Sequence, residues 1–273
     1  MKEKENIINI GLIGVGRWGR NIVKTCSQIP NLKLTCVASK NNATKELIQT
    51  DCKVFSDWRD LIKYPLLNGV IICTPPNTHF EIAQRLIQKG FPILIEKPLT
   101  MNHDEAKRIL ELSESKNTLV MTDFTQLFNY KFLALKDYLK LVGDIKFLIT
   151  KAGNFGPYNN DTSVLWDWGA HDLSTLISLM GQYPKKIKAT KIKENLKRDN
   201  EESIWNINCY FNNGINSSTL IGNMMPKCRK IGVLGTKGML VFDDVSNHPL
   251  KFYSDWQKTY FPINGGLSIK IKS

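Results

Sequence analysis

No stretch of the 273 residues stays apolar for the roughly 20 positions that a membrane-spanning helix needs, so no membrane partner is expected. No C-x-x-C pair occurs among the six cysteines, Cys26, Cys36, Cys52, Cys73, Cys209 and Cys228. Several sit in apolar, strand-like runs, and reduced, mostly buried thiols in a cytoplasmic protein are the simplest expectation. The N-terminus, "MKEKENIINIGLIG", mixes both charge signs and passes directly into a strand, unlike a signal peptide. Arginine is scarce beside lysine. No arginine-rich arm, basic helix or zinc-finger spacing accompanies the formal charge of +12, so an anionic small molecule is favoured over nucleic acid. Repeats and low-complexity segments are absent, and no metal site is expected.

What is present is globular: 42% hydrophobic and 23% charged residues, in a chain long enough for one large domain or two ordinary ones. "IINIGLIGVGRWGRNIVKTC" begins with an apolar strand, Ile7 to Ile13. It passes through Gly14-x-Gly16-x-x-Gly19, with Arg17 and Trp18 in the variable positions, into a helix-compatible run. Gly14 suits the tight turn, Gly16 a close backbone approach by a pyrophosphate, and Gly19 close packing of helix on strand. The helix N-terminus then offers free N–H groups to phosphates.

Strands and helices go on alternating. "LKLTCVAS" reads as a strand and "ATKELIQT" as a short helix. "GVIICT" is a strand leading into the loop "PPNTHF", and "HFEIAQRLIQKG" a helix. "FPILIEK" is a strand, "NHDEAKRILELSESK" a helix and "NTLVMTD" a strand. This predicts a parallel sheet with ligands beyond the carboxyl ends of its strands. Thr74, Pro75, Asn77 and His79 of "TPPNTH" lie at one such end, Glu96 and Lys97 at another. A dinucleotide fold usually places an acid about 20 residues after the glycines to hold the ribose hydroxyls. "VASKNN" has Ser39 and Lys40 there instead, which points to NADP, with NAD the alternative.

After Asp123 the pattern changes. "YKFLALKDYLKLV" reads as a helix and "DIKFLITKAG" as a strand. In "VLWDWGAHDLSTLISLMG", Leu173, Leu176, Ile177 and Met180 keep helical spacing up to a stop at Gly181. Asp167 and His171 are four residues apart. A helix that starts early enough puts both on one face, as a candidate acid–base pair, since imidazole titrates near neutrality. The remaining strand-like runs predict an antiparallel sheet, with the polar stretch 192–203 a loop between strands. In "SIWNINCYF", Ile204, Ile207, Cys209 and Phe211 put apolar groups on both faces. The fold class is therefore an α/β Rossmann domain with a parallel sheet, residues 1–124, plus an α+β domain with a mainly antiparallel sheet, residues 125–273.

In order and spacing these motifs resemble the glucose-fructose oxidoreductase/inositol dehydrogenase family, Gfo/Idh/MocA. They are the glycine turn, "TPPNTH", "EKP" at a strand end, D-x-x-x-H opening a helix, and a late "GVLGTKGMLVFDD". The form "VLWDWGAHDLS" is similar to members associated with surface-polysaccharide sugar biosynthesis. The resemblance implies an NAD(P)-dependent oxidoreductase acting on a hydroxyl of a sugar, sugar nucleotide or polyol. By motif position Lys97, Asp167 and His171 are its catalytic residues: Lys97 holds the reacting oxygen, and His171, assisted by Asp167, takes the hydroxyl proton. Glu96 lies beside the nicotinamide ribose, and Pro98 fixes the turn. The resemblance also implies a homodimer or homotetramer through the second domain. Two departures stand out. The family continues past "PINGGLSIKIKS" with further helical sequence, and "MTDFTQLFNY" has Phe124 where relatives often carry histidine. Two further readings on the same fold stay open. One is a non-catalytic NADP-binding regulator or decayed enzyme; the other is a lyase or glycosidase that uses transient oxidation.

Overall fold

The structure, a computed structural model, describes residues 7–156, 162–195, 202–254 and 257–261. The chain divides into two compact units, Met1–Asp123 and Phe124–Ser273.

In the first unit, short runs of β-branched and aliphatic residues form β1 (Ile8–Ile13), β2 (Leu32–Ala38), β3 (Lys53–Phe55), β4 (Gly69–Ile72), β5 (Ile93–Glu96) and β6 (Val120–Asp123). Each pairing is parallel, in the order β3-β2-β1-β4-β5-β6. The order turns back on itself between β1 and β4, which is where such sheets bind ligands. Helices α1 (Gly19–Cys26), α2 (Trp58–Leu61), α3 (His79–Gln88) and α4 (His103–Ser115) connect the strands. Side chains alternate across the sheet with the strand period. Leu12 and Val37 pack with Val15 and Val23 on one face. Ile13, Ile72 and Ile95 pack with Ile82, Leu86 and Ile109 from α3 and α4 on the other.

Two expectations for this unit need correction. The stretch read as the helix "ATKELIQT" winds only as a 3-10 turn, Asn42–Glu46, nucleated by Asn41 Oδ1 accepting from Ala43 N–H at 3.0 Å. The chain after it adds two pieces too short for any periodicity to show, strand β3 and helix α2.

The second unit contains α5 (Tyr130–Tyr138), β7 (Ile145–Gly153), α6 (Val164–Asp167), α7 (Gly169–Met180), β8 (Lys186–Asn195), β9 (Glu202–Tyr210), β10 (Asn216–Gly222), β11 (Cys228–Gly235), β12 (Gly238–Asp243), β13 (Leu250–Ser254) and β14 (Gln257–Phe261). Its sheet runs β14-β13-β12-β11-β7-β10-β9-β8. All pairs are antiparallel except β7 with β10. The architecture is thus an α/β Rossmann unit followed by an α+β unit with a mainly antiparallel sheet, as the sequence pattern indicates. The polar stretch 192–203 is less of a loop than expected. Its ends extend β8 and β9, pairing Glu194 with Ser203 and Asn195 with Glu202. Its middle lies outside the described residues, as do 157–161 and the C-terminal "PINGGLSIKIKS".

Helix α7 packs on one face of this sheet. Leu176 and Leu179 meet Leu148, Ile207, Ile221 and Val233. Gly169 lets the first turn of α7 approach closely, since a Cβ there would stand 3.4 Å from both Ile207 and Ile221. On the opposite face Ile149, Tyr210, Leu234 and Tyr253 are each more than a third exposed. In β9, Ile207 and Cys209 are buried towards α7, while Ile204 takes the opposite side and Phe211 is buried just beyond the strand end. Among the described residues no helix is long and apolar enough to cross a membrane.

Candidate dinucleotide site and acid–base residues

Backbone sterics shape the glycine turn. Gly14 has φ 95°, in the left-handed region, and a Cβ on it would sit 2.6 Å from the Cys73 carbonyl oxygen. A Cβ on Gly19 would collide with the Gly14 carbonyl oxygen, so only glycine allows α1 to start this close to its own strand. Nothing lies within 4 Å of a Cβ built on Gly16. That side of the turn is open for a ligand to meet bare backbone. Trp18 and Arg17 stand exposed beside it, and no side chain caps the first N–H groups of α1.

A cavity of about 540 Å³ opens from this turn across the carboxyl ends of β1, β2 and β4. Its walls include Gly14, Gly16, Ser39, Lys40, Thr74 and Pro75. Ser39 Oγ accepts from Asn41 N–H at 3.1 Å and from Thr44 Oγ1 at 2.8 Å, which leaves its own hydrogen to offer an incoming oxygen. Lys40 is exposed at the rim, and its charge helps hold the Asp57 carboxyl below the usual range, behind the larger effect of Arg59 N–H donating to it. Trp58 and Glu81 are among the wall residues that the sequence did not point to. Arg59 stacks over the Trp58 ring at 4.6 Å and meets Glu81 at 2.6 Å, so the acid in this wall is already paired.

His79 does not line the cavity, contrary to a direct role at the cofactor. It is fully buried, with Nδ1 2.9 Å from the Pro98 carbonyl oxygen and Nε2 2.9 Å from that of Thr74. It ties the "TPPNTH" loop to the "EKP" turn from behind. Burial pushes its pKa down, so the ring is held neutral. Asn77 is exposed in the 3-10 turn Pro76–Thr78.

Glu96 ends β5, in register with Asp123 at the end of β6, and Lys97 follows it. Burial pushes Glu96 up to about 8, reinforced by the charge of Asp123 and opposed by Lys97. Asp123 was not foreseen as a site residue. Its pKa is raised as well, by burial.

In the second unit, Asp167 and His171 stand on two successive helices and not on one. Asp167 closes the one-turn α6, and His171 lies in the first turn of α7. Trp168 between them accepts from His171 N–H at 3.1 Å and Asp172 N–H at 3.3 Å. Both candidates are half-buried.

Residues 8–124 match the family described as "Oxidoreductase family, NAD-binding Rossmann fold". A solved structure from Magnetospirillum magnetotacticum MS-1, described as an oxidoreductase, is 34% identical with a TM-score of 0.88, over 98% of this chain and 87% of that one. The chain belongs to the Gfo/Idh/MocA oxidoreductase family. Inositol 2-dehydrogenase of Rhizobium meliloti strain 1021 is 25% identical over 193 residues, 67% of this chain and 58% of that protein. UDP-N-acetylglucosamine 3-dehydrogenase of Acidithiobacillus ferrooxidans is 25% identical over 185 residues, 67% and 57% respectively. The chain spans about three fifths, or less, of the length of the curated relatives it matches. Gfo/Idh/MocA members bind a nicotinamide dinucleotide, and the open Gly16 backbone at the start of α1 fits its pyrophosphate.

One further carboxyl in this Gfo/Idh/MocA chain lies outside the expected set. Asp172, next to His171, is buried on the sheet side of α7. Thr150 Oγ1 is 3.0 Å from its Oδ1 and 2.9 Å from Thr219 Oγ1. Burial pushes Asp172 up to about 6, against the Thr150 hydrogen bond and the charge of Arg229. The folded chain therefore binds this proton more tightly than the unfolded chain does, and its contribution to stability falls as pH rises from about 4 to about 6. Asp172→Asn keeps an acceptor for Thr150 and removes that fall. It should match the wild type near pH 4 and exceed it by about 2–3 kcal/mol at pH 7.5. Urea midpoints at the two pH values check this.

Proposed function

We propose that this protein is an NADP-preferring oxidoreductase that moves a hydride between the nicotinamide and a hydroxyl-bearing carbon of a sugar, sugar nucleotide or polyol. The observation that carries the reading is the cavity at the glycine turn, where Ser39 and Lys40 stand in place of the usual ribose-binding acid. The relatives named for inositol and for UDP-N-acetylglucosamine support the substrate class. In this reading Lys97 hydrogen-bonds the reacting oxygen and favours its negative charge, while His171, assisted by Asp167, accepts the hydroxyl proton. Glu96 lies on the nicotinamide side. The "VLWDWGAHDLS" form supports a place in surface-polysaccharide sugar biosynthesis, and the free cysteines support a cytoplasmic setting.

The test is a screen of UDP- and dTDP-sugars, free sugars and inositols with NADP and NAD, read at the nicotinamide absorbance. With the substrate in hand, Lys97→Met should keep the fold and cofactor affinity and lose about 10²–10³ in turnover. His171→Ala should lose turnover too, and the double variant should lose little more than either, because both groups serve one proton transfer. Wild-type turnover by Lys97→Met would refute the assignment.

Cofactor choice is tested separately. NADPH should bind more tightly than NADH by about tenfold or more, as a charged hydrogen bond from Lys40 to the 2′-phosphate provides, and Lys40→Asp should abolish the preference. Calorimetric titration decides it, and NADH binding equally well would count against the idea.

The exposed face of the second sheet, with Ile149, Tyr210, Leu234 and Tyr253, supports assembly through that face. The expected outcome is a homodimer or homotetramer by light scattering at micromolar concentration, with Ile149→Lys shifting it towards monomer.

A further inference from the structure

The ends of β5 and β6 hold a feature that the hydride-transfer roles do not use. Glu96 and Asp123 face each other in register on adjacent parallel strands, with their carboxyl groups in hydrogen-bond contact. Two carboxylates cannot make that bond without a hydrogen between them. Glu96 Oε2 accepts the Lys97 N–H at 3.2 Å, whereas Oε1 is buried with no protein donor. One proton held between Glu96 and Asp123 satisfies that oxygen and leaves the pair with one negative charge instead of two.

The position of the pair gives this charge a use. A dinucleotide lies across the point where strand order reverses, here between β1 and β4. Ser39 and Lys40 at the end of β2 mark the adenosine end, so β5 and β6 mark the nicotinamide end. Cys73 links the pair to the cavity. It follows β4 and lines the same wall as Gly14 and Thr74. Its thiol is pushed up by burial and then by the charges of Glu96 and Asp123. The titratable and charged groups around the pair are Cys73, with Cys26 of α1 behind it, Lys97 next in the chain, and His79 from α3, which is held neutral.

Building on the dinucleotide reading above, we propose that the Glu96–Asp123 pair senses the redox state of the cofactor, keeping its shared proton against the reduced, uncharged ring and releasing it when the oxidised, cationic ring binds. The step balances simply. The pair passes from one negative charge to two, and the proton leaves to solvent. No electron moves in it. The second negative charge is stabilised by the positive ring and has no such partner in the reduced complex.

The consequence is a linkage that binding measurements can read. Glu96 in the free protein holds its proton up to about pH 8. NADP⁺ lowers that limit, so its affinity should rise with pH below about 8, by at most about tenfold per pH unit for one linked proton, and level off above. NADPH affinity should lack this rise. Both forms carry the same 2′-phosphate, so the ratio of their dissociation constants cancels its titration.

The experiment is calorimetric titration of the wild-type protein with NADP⁺ and with NADPH from pH 6 to 9, in buffers of different ionisation heat. The expected result is release of about one proton on NADP⁺ binding near pH 7.5 and much less on NADPH binding. Asp123→Asn and Glu96→Gln each remove one acid of the pair and should flatten the affinity ratio with pH. A merely structural role would weaken both cofactors alike and leave the slope in place. Binding of both cofactors by the wild type with a pH-independent ratio overturns the inference, as does an unchanged slope in both variants. Failure of either cofactor to bind at any pH overturns the dinucleotide site itself, and this inference with it.

Discussion

The first unit depends on how closely α1 can begin to the strand that precedes it. Gly19 sits against the Gly14 carbonyl, and Gly14 against the Cys73 carbonyl, with no room for a side chain at either contact. That closeness has two effects. It aims uncapped N–H groups at the open backbone of Gly16, and it sets β1 and β4 side by side with their carboxyl ends flush. The polar groups placed to serve a dinucleotide then fall along one edge, from Ser39 and Lys40 just after β2 to Glu96 and Asp123 at the ends of β5 and β6. Burial on both faces of the parallel sheet leaves that edge as the place where polar groups meet solvent.

The same dryness raises the acids. Glu96 and Asp123 are pushed up in the first unit, and Asp172 in the second, in each case chiefly by burial. The two settings differ in what replaces water. Asp172 has the Thr150–Thr219 hydroxyl pair and the charge of Arg229, a fixed arrangement inside the packing of α7 on its sheet. Glu96 and Asp123 have each other and the Lys97 backbone N–H, at an edge where a charged ligand arrives. The first arrangement holds a helix in place; the second responds to what binds.

How much of this could be read beforehand follows from the range of each interaction. The glycine turn was legible because its constraints act between residues close in sequence, and glycine is the residue that meets them. The alternation of strands and helices came through periodicity. The Glu96–Asp123 pair was not legible, since it depends on strand register across 26 intervening positions. Asp172 was missed because the apolar spacing of Leu173, Leu176, Ile177 and Met180 suggested a buried face. The structure turns that face to include Asp172 and Thr175, with Leu176 and Leu179. The helix expected in "ATKELIQT" was lost to a local competitor, the Asn41 side chain and the Ser39 hydroxyl, which bind the backbone and hydroxyl of that turn first.

His79 carries one more consequence. Its two ring nitrogens face two carbonyl oxygens at the same distance, one on each of the segments that border the cofactor edge. A neutral imidazole has a single N–H to give. The Thr74 and Pro98 carbonyls therefore compete for one hydrogen, and the tautomer decides which of the two segments receives it.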